Sequence, residues 1–456
     1  MDSKISAKQI WAFALPSVAV AWLIPPMYAI LADFYLRYTE ATAAGIGTAM
    51  LVSKILDAVT DPPVGYMSDH TSSRWGARKP WILAGAIIGA VTFIFFFDPP
   101  EGAGNLYFAV CIIFYYIAYT LIAIPTRSWL GELTPEYAER SRIWSKYVIG
   151  LLIGGVLIML LPILLSSSVF PFFKSSEFDR EMVSFLGKVG AVALLISVWG
   201  SIKWAPDGTR NVGQRPTYKE FFTILKTNKP FQVFLWGYGA SALGFGVFYS
   251  VIIVALTSYF GLTDKVPLFM LAVIFAQVVT IPYIERLARR YPKHKVWAYS
   301  WMLHVIVGPI ILLFDQNTDS FLLFMAVGCV ASILQGAHML FPASIMNDII
   351  DYDTMKTGLS RSGVHMSVFT FVDKAIHAVG FALGFYILAI FEYDAKSATH
   401  SDFSSMGLMI AVVVVPNILF ALSAYFLMKF PIDERRHKII RRRIDRKDQR
   451  IAAASG

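Results

Sequence analysis

IPTRSWLGELTPEYAERSR (residues 124–142) has a counterpart in FPASIMNDIIDYDTMKTGLSR (residues 341–361), and Pro125 and Pro342 stand 217 residues apart. A second pair of landmarks keeps almost the same interval. The charged stretch 69–79, with Arg74 and Arg78, is matched 216 residues later by 285–295, with Arg286, Arg289 and Arg290. Recurrence at this distance in a chain of 456 residues predicts two structural halves rather than a string of small repeats.

The composition says what the halves are made of. The chain is 56% hydrophobic and 15% aromatic but only 16% charged, against roughly 25% charged in an ordinary globular protein. With a mean hydropathy of +0.57 it cannot cover a water-facing surface. Disorder, a collagen-like repeat and a disulfide scaffold are excluded by the same figures together with two cysteines and 22 prolines. Cys111 and Cys329 both fall inside apolar runs and suggest neither a disulfide nor a metal site. Apolar runs long enough to cross a hydrocarbon core number about twelve, beginning near Ile10, Ala43, Trp81, Leu106, Ile143, Ser184, Phe231, Val266, Val296, Phe321, Val364 and Met406. The first is too long for a signal peptide and lacks a small-residue cleavage site, so it reads as an uncleaved span.

With the N-terminus placed in the cytoplasm, the loops on that side and the tail carry thirty Lys and Arg, and the opposite loops five. The asymmetry predicts both termini in the cytoplasm and accounts for most of the +9 net charge, so the basic balance is not a nucleic-acid signal. The tail residues Lys438, Arg441, Arg442, Arg443, Arg446 and Lys447 are expected to be a solvated topological anchor. The predicted class is an all-α membrane protein with twelve transmembrane helices in two six-helix bundles, residues 1–204 and 231–430. Residues 205–230 form a cytoplasmic linker and 431–456 a basic cytoplasmic tail. Parallel halves of this kind resemble the major facilitator fold, where substrate binds at the midplane between bundles.

Charges inside the apolar runs are the functional signal, because an ionisable group at mid-bilayer costs roughly 2.5–3.5 kcal/mol. Lys54, Asp57, Asp61, Arg127 and Lys374 lie within or at the margins of runs. Asp57 and Asp61 are spaced i, i+4 on the second run, which puts both carboxylates on one face, with Lys54 one turn before them. Two carboxylates facing one cavity either share a proton or hold a cation between them, and hard oxygen ligands suit both. The alternative is a neutralised network in which Lys54 and Lys374 merely satisfy the pair.

The stretch KILDAVTDPPVGYMSDHTSSRWGARKPW (residues 54–81) resembles the signature of the glycoside-pentoside-hexuronide:cation symporters, the melibiose permease-like group of the major facilitators. Its elements are Asp-x-x-x-Asp-Pro, then Gly, Asp, Arg-x-Gly, and a Pro-Trp opening the third run. Residues 124–143 and 348–363 resemble the family's second and third signatures, so the resemblance extends over nearly the whole chain. It implies alternating-access symport driven by Na⁺ or H⁺, with no cofactor. By position, Asp57, Asp61 and Thr120 match the family's cation-site residues, with Na⁺ at Asp57 and Asp61. Lys374 matches the lysine that lies near them.

The departures concern substrate. The family's melibiose-type members grip sugar with acids on the first and fourth helices. Here the first run, PSVAVAWLIPPMYAILA (residues 16–32), holds no acid, Ala123 and Arg127 stand where those members carry the fourth-helix acid and, one turn on, a Trp, and Val148 replaces an arginine on the fifth. A guanidinium donates hydrogen bonds and accepts none, which shifts the expected substrate from a galactoside towards an acidic glycoside such as a uronide. Against this, Arg127 lies five residues before Glu132 and is also placed to snorkel or pair with it. Further cavity candidates are Tyr28, Tyr116, Tyr119, Trp236, Tyr249, Gln335, His338, Thr370 and Asp373, since sugar rings stack on aromatics while amides and carboxylates orient hydroxyls. Thr370 and Asp373 rank highest because they neighbour Lys374. His365 and His377 read as structural.

Asp69, Arg74, Arg78, Glu132, Arg140, Asp348, Asp351 and Arg361 are expected to gate, forming ion pairs where the halves meet and breaking them when the cavity opens inward. Neutralising Arg78 or Arg140 is expected to alter transport rate more than affinity. No nucleophile–base constellation, phosphate-binding loop or metal-ligand spacing is seen, so neither an enzyme nor an ATP-driven pump is expected. The partners expected are a small-molecule substrate and membrane lipid, with no nucleic acid, for a monomer in a bacterial inner membrane. A cation-coupled lysolipid carrier and a non-transporting membrane sensor are the competing readings.

Overall fold

The computed structural model describes residues 5–24, 27–134, 137–208, 218–316, 320–359, 361–397 and 399–455. Twelve helices among them are long and apolar enough to cross a membrane. In chain order they are span 1 (Ala7–Tyr38), span 2 (Ala43–His70), span 3 (Lys79–Phe97), span 4 (Asn105–Leu133), span 5 (Arg142–Leu165) and span 6 (Arg180–Trp204). Span 7 (Lys229–Tyr259), span 8 (Thr263–Ala288), span 9 (Lys293–Leu313), span 10 (Phe321–Thr357), span 11 (Ser362–Ile390) and span 12 (Asp402–Met428) follow. The all-helical architecture expected from the apolar runs is the one observed. Helix is what a bilayer enforces, because every backbone N–H and C=O must be satisfied within its own segment.

Local chemistry fixes the ends. Ser6 and Gln9 form a capping box at the start of span 1. Thr42 accepts from the Gly45 amide and Asp179 from the Met182 amide at the starts of spans 2 and 6. Prolines 62, 63, 125, 162, 282 and 342 all sit inside helices, where a soluble helix would break. Span 10, with 37 residues, is about 55 Å long, against about 30 Å of hydrocarbon, so one end stands clear of the membrane. It stops at Gly358, whose φ of +75° is open to glycine at little cost and whose amide caps the Thr354 carbonyl at 2.8 Å.

The chain groups into two compact units. One comprises residues 1–213, 249–271 and 381–408, and its aromatic core includes Phe93, Phe96, Phe97, Phe108 and Tyr115. Span 5 packs on span 1 through Gly150 and Gly154, a small-xxx-small pair. A Cβ at Gly154 would collide with the Val18 carbonyl and the Ala21 side chain. Gly154→Val is therefore expected to destabilise the protein by about 1–3 kcal/mol, the range for overpacking a close contact. Thermal unfolding of the purified variant in detergent checks this, and an unchanged midpoint would contradict it.

The other unit comprises residues 214–248, 272–380 and 409–456, around Trp297, Trp301, Phe231 and Phe234. Trp301 stacks on Phe420 at 4.3 Å with the rings almost parallel. The basic tail, Glu434–Ser455, is helical, with Lys438, Arg441, Arg442, Arg443 and Arg446 exposed. Its first turns dock on the projecting end of span 10, His437 and Arg441 each lying 3.0 Å from Asp351. The linker is only partly described. Its first residues strap onto spans 3 and 4, with Lys79 to Asp207 at 2.6 Å and Trp129 to the Pro206 carbonyl at 3.1 Å. Residues 209–217 lie outside the described chain.

Candidate cation and substrate site

On span 2, the sequence Asp57-Ala58-Val59-Thr60-Asp61-Pro62-Pro63 places two carboxylates one turn apart. It also removes the two amides that would have closed on the carbonyls of Ala58 and Val59. Span 4 packs along this face and presents Thr120. The Thr120 hydroxyl donates to Asp57 Oδ1 at 2.5 Å and lies 3.4 Å from Asp61 Oδ1. Asp57 and Thr120 are buried, at 3% and 2% exposed, while Asp61 is half-buried. A hydroxyl has one proton, so it serves one carboxylate at a time. The three side chains thus converge as hard oxygen donors with two negative charges, the ligand chemistry of a small cation or a shared proton.

The Lys54 ammonium, one turn before Asp57, lies 3.9 Å from the centroid of the Tyr116 ring and 5.8 Å from that of Tyr28. Two buried tyrosines thereby help to carry a positive charge within the apolar span, next to the aspartates. Tyr28 also packs on Phe381 at 5.1 Å, and Tyr119 is half-buried on span 4.

Arg127 is exposed, and its place on span 4 is informative. It follows Thr120 by seven residues, about two helical turns, and so shares the face that meets the aspartates. Glu132 is engaged elsewhere, accepting both Nε and Nη2 of Arg78 at 2.9 and 2.6 Å. Among the described residues Arg127 makes no ion pair.

In the second unit, spans 7, 10 and 11 build a polar cluster. Tyr238 donates to Asp373 Oδ1 at 2.5 Å, and His377 Nδ1 lies 3.0 Å from the same carboxylate. The His338 ring stacks on Tyr238 at 5.3 Å and its Nδ1 lies 3.3 Å from the Ser241 hydroxyl. Asp373 is about a third exposed, and Thr370 and Lys374 are half-buried on the same helix. Gln335, expected to line a cavity, is buried against His304 at 3.2 Å. Trp236 is 66% exposed and packs on Phe426. The cluster residue on span 7 is Tyr238, about 200° around the helix from Trp236, a distinction that two adjacent aromatics in one apolar run do not reveal. Tyr249 belongs to the first unit and is half-buried. His365 is buried beside Asn228 and His377 contacts Asp373, so of the two histidines read as structural only the first is placed like one.

The residues expected to gate form networks inside each unit. Arg78, 6% exposed, pairs with Asp69 at 2.6 Å and with Glu132, and donates to Ser68 at 2.9 Å. Arg140 donates to the carbonyls of Thr134 and Gly131, capping the end of span 4. Arg74 lies over the Trp75 ring. In the second unit Asp348 pairs with Lys293 at 3.3 Å, Asp351 with the tail helix, and Arg361 bidentately with Asp353, an acid the sequence reading passed over although it lies eight residues before that arginine.

A second omission is Asp33. It stands one residue beyond the acid-free run, yet span 1 continues to Tyr38 and buries it to 1% exposure. Arg37 pairs with it at 3.0 Å and with Glu177 at 2.8 Å, while Thr257 donates to it at 2.7 Å from a π-helical turn over Ala255–Tyr259. The i, i+4 spacing of Asp33 and Arg37 was the available signal.

Comparison with known proteins agrees with the fold. The family model described as MFS/sugar transport protein matches residues 12–434. The Bacillus subtilis protein named uncharacterized symporter YnaJ is 24% identical, the match covering 98% of this chain and 96% of that protein. The glucuronide carrier protein homolog of Escherichia coli is 23% identical over 98% of this chain and 97% of its own length. Among solved structures, the nucleoside transporter NupG superposes with a TM-score of 0.62 at 12% identity, covering 93% of this chain and 98% of NupG. Twelve apolar helices with charged side chains buried between them describe a multi-pass membrane transporter rather than an enzyme, and the chain belongs to the MFS/sugar transport protein family.

Proposed function

We propose that the protein is a cation-coupled symporter that imports a glycoside, with acidic glycosides such as uronides as the preferred class. The observation that carries the reading is the meeting of Asp57, Asp61 and Thr120, two carboxylates and a hydroxyl brought together from two apolar spans. Membrane burial of two acids is costly unless a cation or proton occupies the site during the cycle, which ties their charge to a travelling ion, Na⁺ or H⁺. Lys374 on span 11 contributes to coupling, as its match to the family's lysine suggests, and Thr370, Asp373, Tyr119, Tyr116, Tyr28 and His338 contribute to substrate contacts. The preference for acid rests on Arg127, on Thr120's face and without an ion pair among the described residues. A relative named for glucuronide agrees with it.

Transport proceeds by alternating access between six-helix bundles at residues 1–204 and 231–430, with both termini cytoplasmic as the loop charges require and the protein acting as a monomer. The gating residues act by bracing each bundle's charged end: Arg78 with Asp69 and Glu132, Arg140 on the span 4 carbonyls, Arg361 with Asp353. Arg74, Asp348 and Asp351 adjoin these ends.

The test is uptake into proteoliposomes under imposed Na⁺ or H⁺ gradients across neutral glycosides, uronides and a lysolipid. Gradient-dependent accumulation of a glycoside is expected; accumulation of the lysolipid alone would replace this reading with the lipid carrier, and no uptake at all with the sensor. Arg127→Gln is expected to cut uronide uptake by about tenfold or more, the loss of one charge-assisted hydrogen bond, and to spare a neutral glycoside. Equal loss for both would remove the acid preference.

A further inference from the structure

Spans 8, 9 and 10 enclose a groove of about 870 Å³ in the second unit, separate from the polar cluster of Asp373. One end is basic. Arg286 from the end of span 8, Arg290 from the turn that follows it and Lys295 from the start of span 9 line it, and Glu285, beside Arg286 in sequence, does not. Among the described residues none of the three cations makes an ion pair; Arg286 rests against the Tyr283 ring at 5.4 Å. The rest of the groove is apolar, walled by Leu287, Val296, Leu303, Ile333 and Leu334, of which Leu303 is 52% and Leu287 45% exposed.

The dimensions and polarity fit a membrane lipid. From Lys295 to Leu303 the wall runs about 12 Å at a helical rise of about 1.5 Å per residue, close to the roughly 15 Å depth of one leaflet's hydrocarbon. Its basic end lies at the loop between spans 8 and 9, and a loop joining two spans belongs at the headgroup region, where aromatics such as the lining Tyr283, Tyr291 and Tyr299 are enriched. We propose that this groove binds one anionic phospholipid from the surrounding bilayer, its phosphate held by Arg286, Arg290 and Lys295 and its acyl chains lying along Leu287, Val296, Leu303 and Ile333. Basic pockets between transmembrane helices select anionic headgroups because the cations gain a partner that a zwitterionic lipid, carrying its own ammonium, supplies poorly. The proposal is independent of which substrate the protein carries.

The experiment uses the full chain in nanodiscs of equal phosphatidylglycerol and phosphatidylcholine, with retained lipids counted by native mass spectrometry after gentle delipidation. About tenfold enrichment of phosphatidylglycerol is expected on the unsubstituted protein, falling to near parity in Arg286→Gln/Arg290→Gln/Lys295→Gln. Arg442→Gln/Arg443→Gln in the tail is expected to keep the enrichment, and excess inorganic phosphate to leave it intact. Equal enrichment in the groove variant, equal loss in the tail variant, or displacement by phosphate would each overturn the proposal. Should the triple variant fail to fold, Leu303→Trp, which blocks the acyl track and keeps the cations, is expected to lose the retained lipid; full retention there would also overturn it.

Discussion

Replacing Asp57 with Asn is expected to abolish gradient-driven accumulation while leaving the protein folded in the membrane. The carboxylate is buried and held by the Thr120 hydroxyl, so the isosteric amide retains the volume and a hydrogen-bonding oxygen while removing the charge. A monovalent ion about 4 Å from a carboxylate gains roughly 4 kcal/mol at an effective dielectric of about 20, so loss of one charge lowers cation affinity by about 100- to 1,000-fold. Concentrative uptake in proteoliposomes should fall to the background of empty vesicles, whereas substrate counterflow with saturating cation is expected to recover in part. Full accumulation by Asp57→Asn would sink the ion-coupling role, and unchanged accumulation when Asp61 is replaced as well would leave only the topology standing.

Arg78→Ala is expected to have the largest effect on stability. Its guanidinium, 6% exposed, joins the charged ends of spans 2 and 4 through Asp69 and Glu132 and ties in Ser68. Removing one partner from a buried ion pair leaves carboxylates without compensation and costs about 3–5 kcal/mol. A replacement that removes the charges together, Arg78→Met with Glu132→Leu and Asp69→Asn, is expected to recover much of that loss, because well-packed apolar groups often replace a buried pair at no net cost. Thermal unfolding in detergent measures both. If Arg78→Ala unfolds at the unsubstituted midpoint, the hub does not hold spans 2 and 4. Adding a turnover assay in proteoliposomes separates bracing from gating, since a variant that stays folded but turns over slowly points to the transport cycle instead.

What was legible beforehand follows from how local each signal is. The aspartate pair was readable because i, i+4 spacing on one helix fixes a shared face without reference to anything else. The twelve spans were readable because a bilayer demands about 20 apolar residues per crossing. Thr120 was not readable from spacing at all; 59 residues separate it from Asp61, it lies outside the three signature stretches, and only its positional match to the resembled family's cation site singled it out. Trp236 and Tyr238 show the limit of the same logic. Both are aromatics in one apolar run, and without a polar face to set the phase the helix could be rotated either way.

The surroundings of Asp33 and Arg140 depend on where helices end, which the sequence alone leaves open. Asp33 fell outside because the apolar run was cut at Ala32, whereas the helix continues one and a half turns further, with Arg37 following it as its partner. Arg140 reads from its charge as a gating residue, and the contacts by which it braces span 4, to the Thr134 and Gly131 carbonyls, depend on where that helix ends.

Hydropathy, charge asymmetry and helical periodicity, all properties of short stretches of chain, were enough to predict an all-helical membrane protein and to mark the acids on span 2, while the transporter class followed from the signature resemblance. Which cations those and the other acids meet was decided by tertiary structure alone. A long charged side chain reaches several neighbouring helices, and the partner it takes depends on which helix packs beside it: Arg78 takes Asp69 and Glu132, Arg361 takes Asp353, and the tail takes Asp351.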